Sequence, residues 1–149
     1  MNEEIKTTAE IAEAAAMPRR HEVHADPNVA PCAVPDSVAN TPVKEKSAAE
    51  WAYERLILYI QNFESQLDNE HEVAMGFTGG NAGVLRIEGM GFFDPDMVTF
   101  YGSDSNGIKT QLVQHVTQLS VMLRALPRQV DEGEPTRIGF RLAQDLSKT

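Results

Sequence analysis

The longest helical pattern in this chain begins at Ile108. Ile108, Leu112, Val116, Leu119, Met122, Leu123 and Leu126 share one arc of a helical wheel, and Arg124 followed by Pro127 supplies a stop. The spacing predicts a core helix from Ile108 to about Leu126, with Asp104 and Ser105 in the Gly102–Gly107 turn accepting orphan amide hydrogens at its start. Ahead of it, period-two alternation predicts three strands. His71 to Phe77 sets Val73, Met75 and Phe77 on one face, Val84 to Phe93 sets Leu85 and Ile87 inward, and Met97 to Tyr101 is β-branched and aromatic. Thr78-Gly79-Gly80-Asn81 is the hairpin turn between the first two, since glycine and asparagine tolerate positive φ, and Asp94-Pro95-Asp96 is the return to the third. Gly89 and Gly91 predict a bulge or a close backbone approach.

A helix should also open at Ser47, where serine at the cap and Glu50 three residues on form a capping box, and run to about Asp68. Its core stripe reads Ala52, Leu56, Tyr59, Ile60, Phe63 and Leu67. Trp51 and Leu58 project from nearly the opposite side with Arg55 and Asn62, and a two-layer domain has no place for them, so these four are expected at an interface between chains. Arg137 to Leu142 alternates as a fourth strand, with Ile138, Phe140 and Leu142 inward. The order α-β-β-β-α-β gives an α+β, two-layer domain: an antiparallel three-stranded meander plus a fourth strand, with two helices packed on one face.

Residues 1 to 46 hold most of the chain's prolines and no aromatic residue, so they are expected to be a disordered tail ahead of a single domain over residues 47 to 149. At 149 residues there is room for one substantial core. The net charge of −9 argues against nucleic acid or an anionic membrane as the partner, and no stretch approaches the length of a membrane span. One cysteine, Cys32, has no disulfide partner and fits a reducing compartment, so a cytoplasmic location is expected.

Candidate chemistry is sparse. The Gly76–Gly83 hairpin lacks the lysine and hydroxyl of a phosphate loop and leads into a strand rather than a helix. Gly102 to Leu112 lacks the first carboxylate and the bidentate glutamate of a calcium loop. No catalytic residues, metal ligands or cofactor are assigned. His115, flanked by Gln111 and Gln118, is either a hydrogen-bonded core residue or part of a ligand site. Arg86, Arg137 and Arg141, with Tyr101, are expected on the sheet face away from the helices, as an anion-binding surface or a solvated face.

Glu50-Trp51-Ala52-Tyr53-Glu54-Arg55-Leu56, Met75-Gly76-Phe77, Ile87-Glu88-Gly89-Met90-Gly91-Phe92, Leu112 to Leu119 and Ile138-Gly139-Phe140-Arg141-Leu142 together resemble an uncharacterised proteobacterial domain family. The resemblance implies a folded unit near residues 48 to 145 and brings no activity or site residues with it. The element order alone is similar to that of the dimeric chaperones of type III secretion, which hold an extended partner segment. The leading functional expectation is a non-enzymatic adaptor or chaperone-like protein-binding module acting as a homo-oligomer. The alternative is a small-ligand or anion-binding domain using His115 and the arginines.

Overall fold

A one-turn helix α1 (Asp36–Ala39) and a 3-10 turn (Val43–Glu45) precede a long helix, α2 (Ala48–Glu64), in the computed structural model, which describes residues 7–8, 17–18, 25, 27–28, 33–77, 83–128 and 137–147. The capping box sets the start of α2: the Ser47 hydroxyl accepts the Glu50 amide hydrogen at 3.1 Å. Five strands follow, β1 (His71–Phe77), β2 (Val84–Phe93), β3 (Met97–Ser103), β4 (Lys109–His115) and β5 (Val121–Pro127), and then a last helix, α3 (Ile138–Ser147). Every neighbouring pair is antiparallel, in the order β4-β3-β2-β1-β5. The chain is α+β, as the periodicity predicts, and β1 and β2 begin and end where expected. The bulge foreseen in β2 falls between Ile87 and Gly89. The hairpin turn expected at Thr78 to Asn81 lies outside the described residues.

Two elements change type. The stretch read as the core helix is β4, a 3-10 turn at Val116–Gln118, and β5. Asp104 caps no helix there; its carboxylate accepts the amide hydrogens of Asn106 and Ile108, both at 2.9 Å, and closes the β3–β4 hairpin, with Gly107 at φ 78°. The stretch read as the fourth strand is the start of α3, in which Ile138, Leu142, Ala143 and Leu146 are buried at helical spacing. The α-β-β-β-α-β order that carried the likeness to secretion chaperones is therefore not the order of this chain.

The link between β4 and β5 shows that the sheet is strongly curled. β4 and β5 are opposite edges, four strand spacings apart. His115 sits at the Phe93 end of β2, beyond Met97, whereas Val121 pairs with Phe77 near the Val84 end. Across a flat sheet these points would be ~35 Å apart, yet the connecting chain reaches only ~22 Å at full extension. β2 resolves this by bending at its bulge, so that residues 84–86 pair with β1 and residues 86–93 with β3. The bend brings the Phe77 ring of β1 to 5.0 Å from the Phe100 ring of β3, two strands away. Met75, Leu85, Val98 and Phe100 are fully buried inside the curl, and Ile57 and Ile60 of α2 close it from above. α3 packs beside α2, where Gly139 lets the backbones approach.

The expected face of α2 is also rotated. Tyr59 points to solvent, while Ala49, Tyr53, Ile57 and Ile60 meet the core and Ala52, Leu56, Phe63 and Leu67 are half-buried beside it. Trp51 and Leu58 are only 5% and 7% exposed. A third layer is supplied by α3 and by residues 33–46, which pass over the helix. Val38 is buried, and the Val43 carbonyl accepts the Trp51 indole N–H. The packed unit thus starts ahead of residue 47.

Gly102 lies at the bend, and a Cβ there would overlap the Arg86 carbonyl oxygen, which is backbone with little room to move. Gly102→Ala is expected to cost about 1–3 kcal/mol, as overpacking does, and to lower the urea midpoint. Gly83→Ala, where nothing lies within 4 Å but φ is +68°, should cost about 1 kcal/mol. Equal, negligible effects of the two would show that the close approach at the bend carries no cost.

Candidate functional site

The arginines expected to form one face are dispersed, and two of them are engaged with backbone. Arg137 donates to the carbonyls of His71 (2.8 Å) and Asp68 (2.9 Å), which fastens the start of α3 to the α2–β1 corner. Arg86 donates to the Pro127 carbonyl at 2.7 Å and lies 3.5 Å from Glu72. Arg141 stands exposed on α3, and Tyr101 lies on the outer face of β3, accepting from Gln111 at 3.3 Å. No shared anion surface results.

His115 is half-exposed at the end of β4, not buried in a helix. The Thr117 amide hydrogen donates to its Nδ1 at 3.2 Å, so that nitrogen holds a lone pair and the ring proton sits on Nε2, facing Asp96 Oδ2 at 2.8 Å. The Gln118 side chain accepts the His115 amide hydrogen in return, completing a cap on the 3-10 turn. The imidazole therefore joins the β4–β5 link to the β2–β3 turn. That turn also receives α2: Pro95 O accepts the Ala49 amide hydrogen at 2.9 Å, and the Ser47 hydroxyl meets Asp94. Of the two readings of His115, the hydrogen-bonded structural one fits its surroundings, on the rim rather than in the core.

At the α2–β1 corner the His71 ring and the Glu70 amide both hydrogen-bond Asp68, and they hold its carboxyl below the ordinary value of 3.8, the His71 bond contributing most. The bond from the Lys109 ammonium does the same for Glu88, assisted by Ser103. Burial, and then the neighbouring Asp145 and Glu54, push the Tyr53 phenol up.

Three surfaces remain as candidates. One is a hollow of about 540 Å³ between α2 and the β4–β5 link, with Trp51, Ala52, Val116 and Leu119 in its walls and Arg55 at its edge. A second, of about 460 Å³, is bordered by Lys46, Tyr53, Glu54 and Phe92. Between them sits Lys46: its ammonium donates to Glu54 at 2.5 Å and to the Ser37 carbonyl at 3.1 Å, and lies 4.8 Å from the centre of the Trp51 ring. The third is the outer face of β2, β3 and β4. The pairings Phe93↔Met97↔His115 and Gly91↔Thr99↔Val113 put these residues opposite the buried Val98 and Phe100. Phe93 is 76% exposed there, and Tyr101 and Val113 are exposed on the same face. Among the described residues no group of three or more His, Cys, Asp or Glu is placed to hold a metal, and no helix is long and apolar enough to cross a membrane.

A family model described as a family of unknown function, DUF6173, matches residues 41–141. The chain belongs to DUF6173. No characterised protein and no solved structure matches it. The DUF6173 match covers Lys46, Glu54, Trp51 and the whole curled sheet, and it begins six residues ahead of the capping box, inside the segment that passes over α2. Lys46, Glu54, Phe93 and Val113 were not singled out in the sequence; the signal available for the first two was their eight-residue separation across a helix start, which by itself specifies nothing.

Glu54 is only 6% exposed, and Lys46 is its cation. Lys46→Met is expected to destabilise the chain by about 3–5 kcal/mol by stranding that carboxylate, and the Lys46→Met, Glu54→Leu double variant to recover most of the loss. A single variant no less stable than the double would show that the pair is not coupled. Asp68 supplies the pH dependence. A carboxylate with a lowered folded pKa adds stability above its unfolded value, and that stability is lost as pH falls through the lowered value. Asp68→Asn should therefore lower the melting midpoint at neutral pH, with the gap to the native chain closing below about pH 4.

Proposed function

We propose that this chain is a non-enzymatic protein-binding module that pairs with a second copy of itself along β4 and the adjoining outer face of β2 and β3. The exposure of three large apolar side chains, Phe93, Tyr101 and Val113, on one sheet face carries the reading, because apolar surface gathered on one face favours an interaction site. Gly89 and Gly91 carry no side chains on that face, and the Tyr101 ring and the Thr99 hydroxyl lie beside the space they leave. The β4 edge suits pairing. It has one lysine, Lys109, at its start and no proline, whereas the other edge, β5, carries Arg124 and ends in Pro127. Antiparallel pairing of two β4 strands about Leu112 would set Lys109 against His115 of the other copy, so like charges do not meet. The single cysteine and the acidic composition support action in a reducing, cytoplasmic setting.

The native chain is expected to run as a dimer in light scattering at high micromolar concentration. Phe93→Ser with Val113→Lys should give the monomer mass with an unchanged circular dichroism spectrum, since both side chains are outside the core. A native chain that is monomeric at that concentration, or a variant that stays dimeric, overturns the assignment of this face.

A further inference from the structure

The hollow beside Trp51 is lined by two residues from far upstream, Met17 and Pro18. They share its lining with Val43, Trp51, Arg55, Val116 and Leu119, so the walls come from the segment over α2, from the helix and from the β4–β5 link. We propose that this groove is a docking site for a short methionine–proline segment, and that Met17–Pro18 of the same chain is its resident occupant. The chemistry of the two sides agrees. The Trp51 N–H is already taken by the Val43 carbonyl, so the indole offers only apolar surface to the groove. Proline has no backbone N–H to leave unsatisfied against such a surface, and proline-bearing segments favour aromatic-lined grooves. The flexible thioether of methionine fits irregular apolar space.

The seat is shallow. Met17 remains 49% exposed, and about 540 Å³ stays open beside it. A segment seated this shallowly gains from being on the same chain as its groove, because the encounter between them is intramolecular. The same segment supplied on another molecule competes poorly while Met17–Pro18 is present and binds once it is gone. This site lies on α2 and the β4–β5 link, not on the outer face of β2–β4, so it stands or falls independently of the pairing proposed above.

Trp51 is the chain's only tryptophan, so its fluorescence reports on the groove. In the full-length chain, Met17→Ser with Pro18→Gly is expected to raise acrylamide quenching of Trp51 roughly twofold. A synthetic peptide of residues 12–23 should restore the native value in that variant, with an apparent affinity at least ~10-fold tighter than for the native chain, where the tethered copy competes. Quenching that is the same in both proteins overturns the docking, as does a peptide that restores nothing. Quenching of the native chain that changes with its own concentration would place the occupant on a second copy, and so overturns the intramolecular seat.

Discussion

The domain depends on β2 bending between its two partner strands within one sheet. One strand pairs with β1 over its first residues and with β3 over the rest, and the bulge at Ile87–Gly89 turns it between them. Without that bend the five residues after His115 could not carry the chain from one sheet edge to the other, and Phe77 could not meet Phe100. The groove beside Trp51 is a by-product of the same geometry, because the link that closes the curl is also the groove's far wall. So is the open outer face. The glycines beside the bend leave that face to the side chains of β3 and β4.

How much of this was legible from residues alone follows from how well one period excludes the other. β1 and β2 alternate over seven and ten residues with turn residues at their ends and stand where the pattern places them, and α2 starts at its capping box but stops at Glu64, a turn short of Asp68. β4 does not alternate in polarity, because its inward side carries Thr110 and Gln114 around Leu112 at a sheet edge. Leu112, Val116 and Leu119 then fit a helix by spacing alone, although the run is rich in β-branched residues. For α3 the window was too short. Ile138 to Leu142 satisfies both periods, and only Ala143 and Leu146 decide for the helix.

The site was less legible than the fold, for a different reason. A guanidinium looks the same in sequence whether it faces solvent or, like Arg137, is fastened to two carbonyls. The burial of Trp51 was missed because the segment covering it is poor in apolar residues. It contributes few of them, yet Val38, the Val43 carbonyl and the Lys46 ammonium suffice when the last is anchored to Glu54.

That covering segment is tied at both of its ends. Lys46 fixes it to α2, and upstream the Ser37 hydroxyl donates to the Leu146 carbonyl at 3.3 Å, near the end of α3. The first and last described helices therefore touch, which makes the domain a ring in outline although its chain is linear. Cutting the ring at a hairpin and joining Ser37 to the end of α3 by a short bridge would preserve the register of the strands on either side of the cut, because what holds this domain in shape is the adjacency of its segments and not the order in which they are strung.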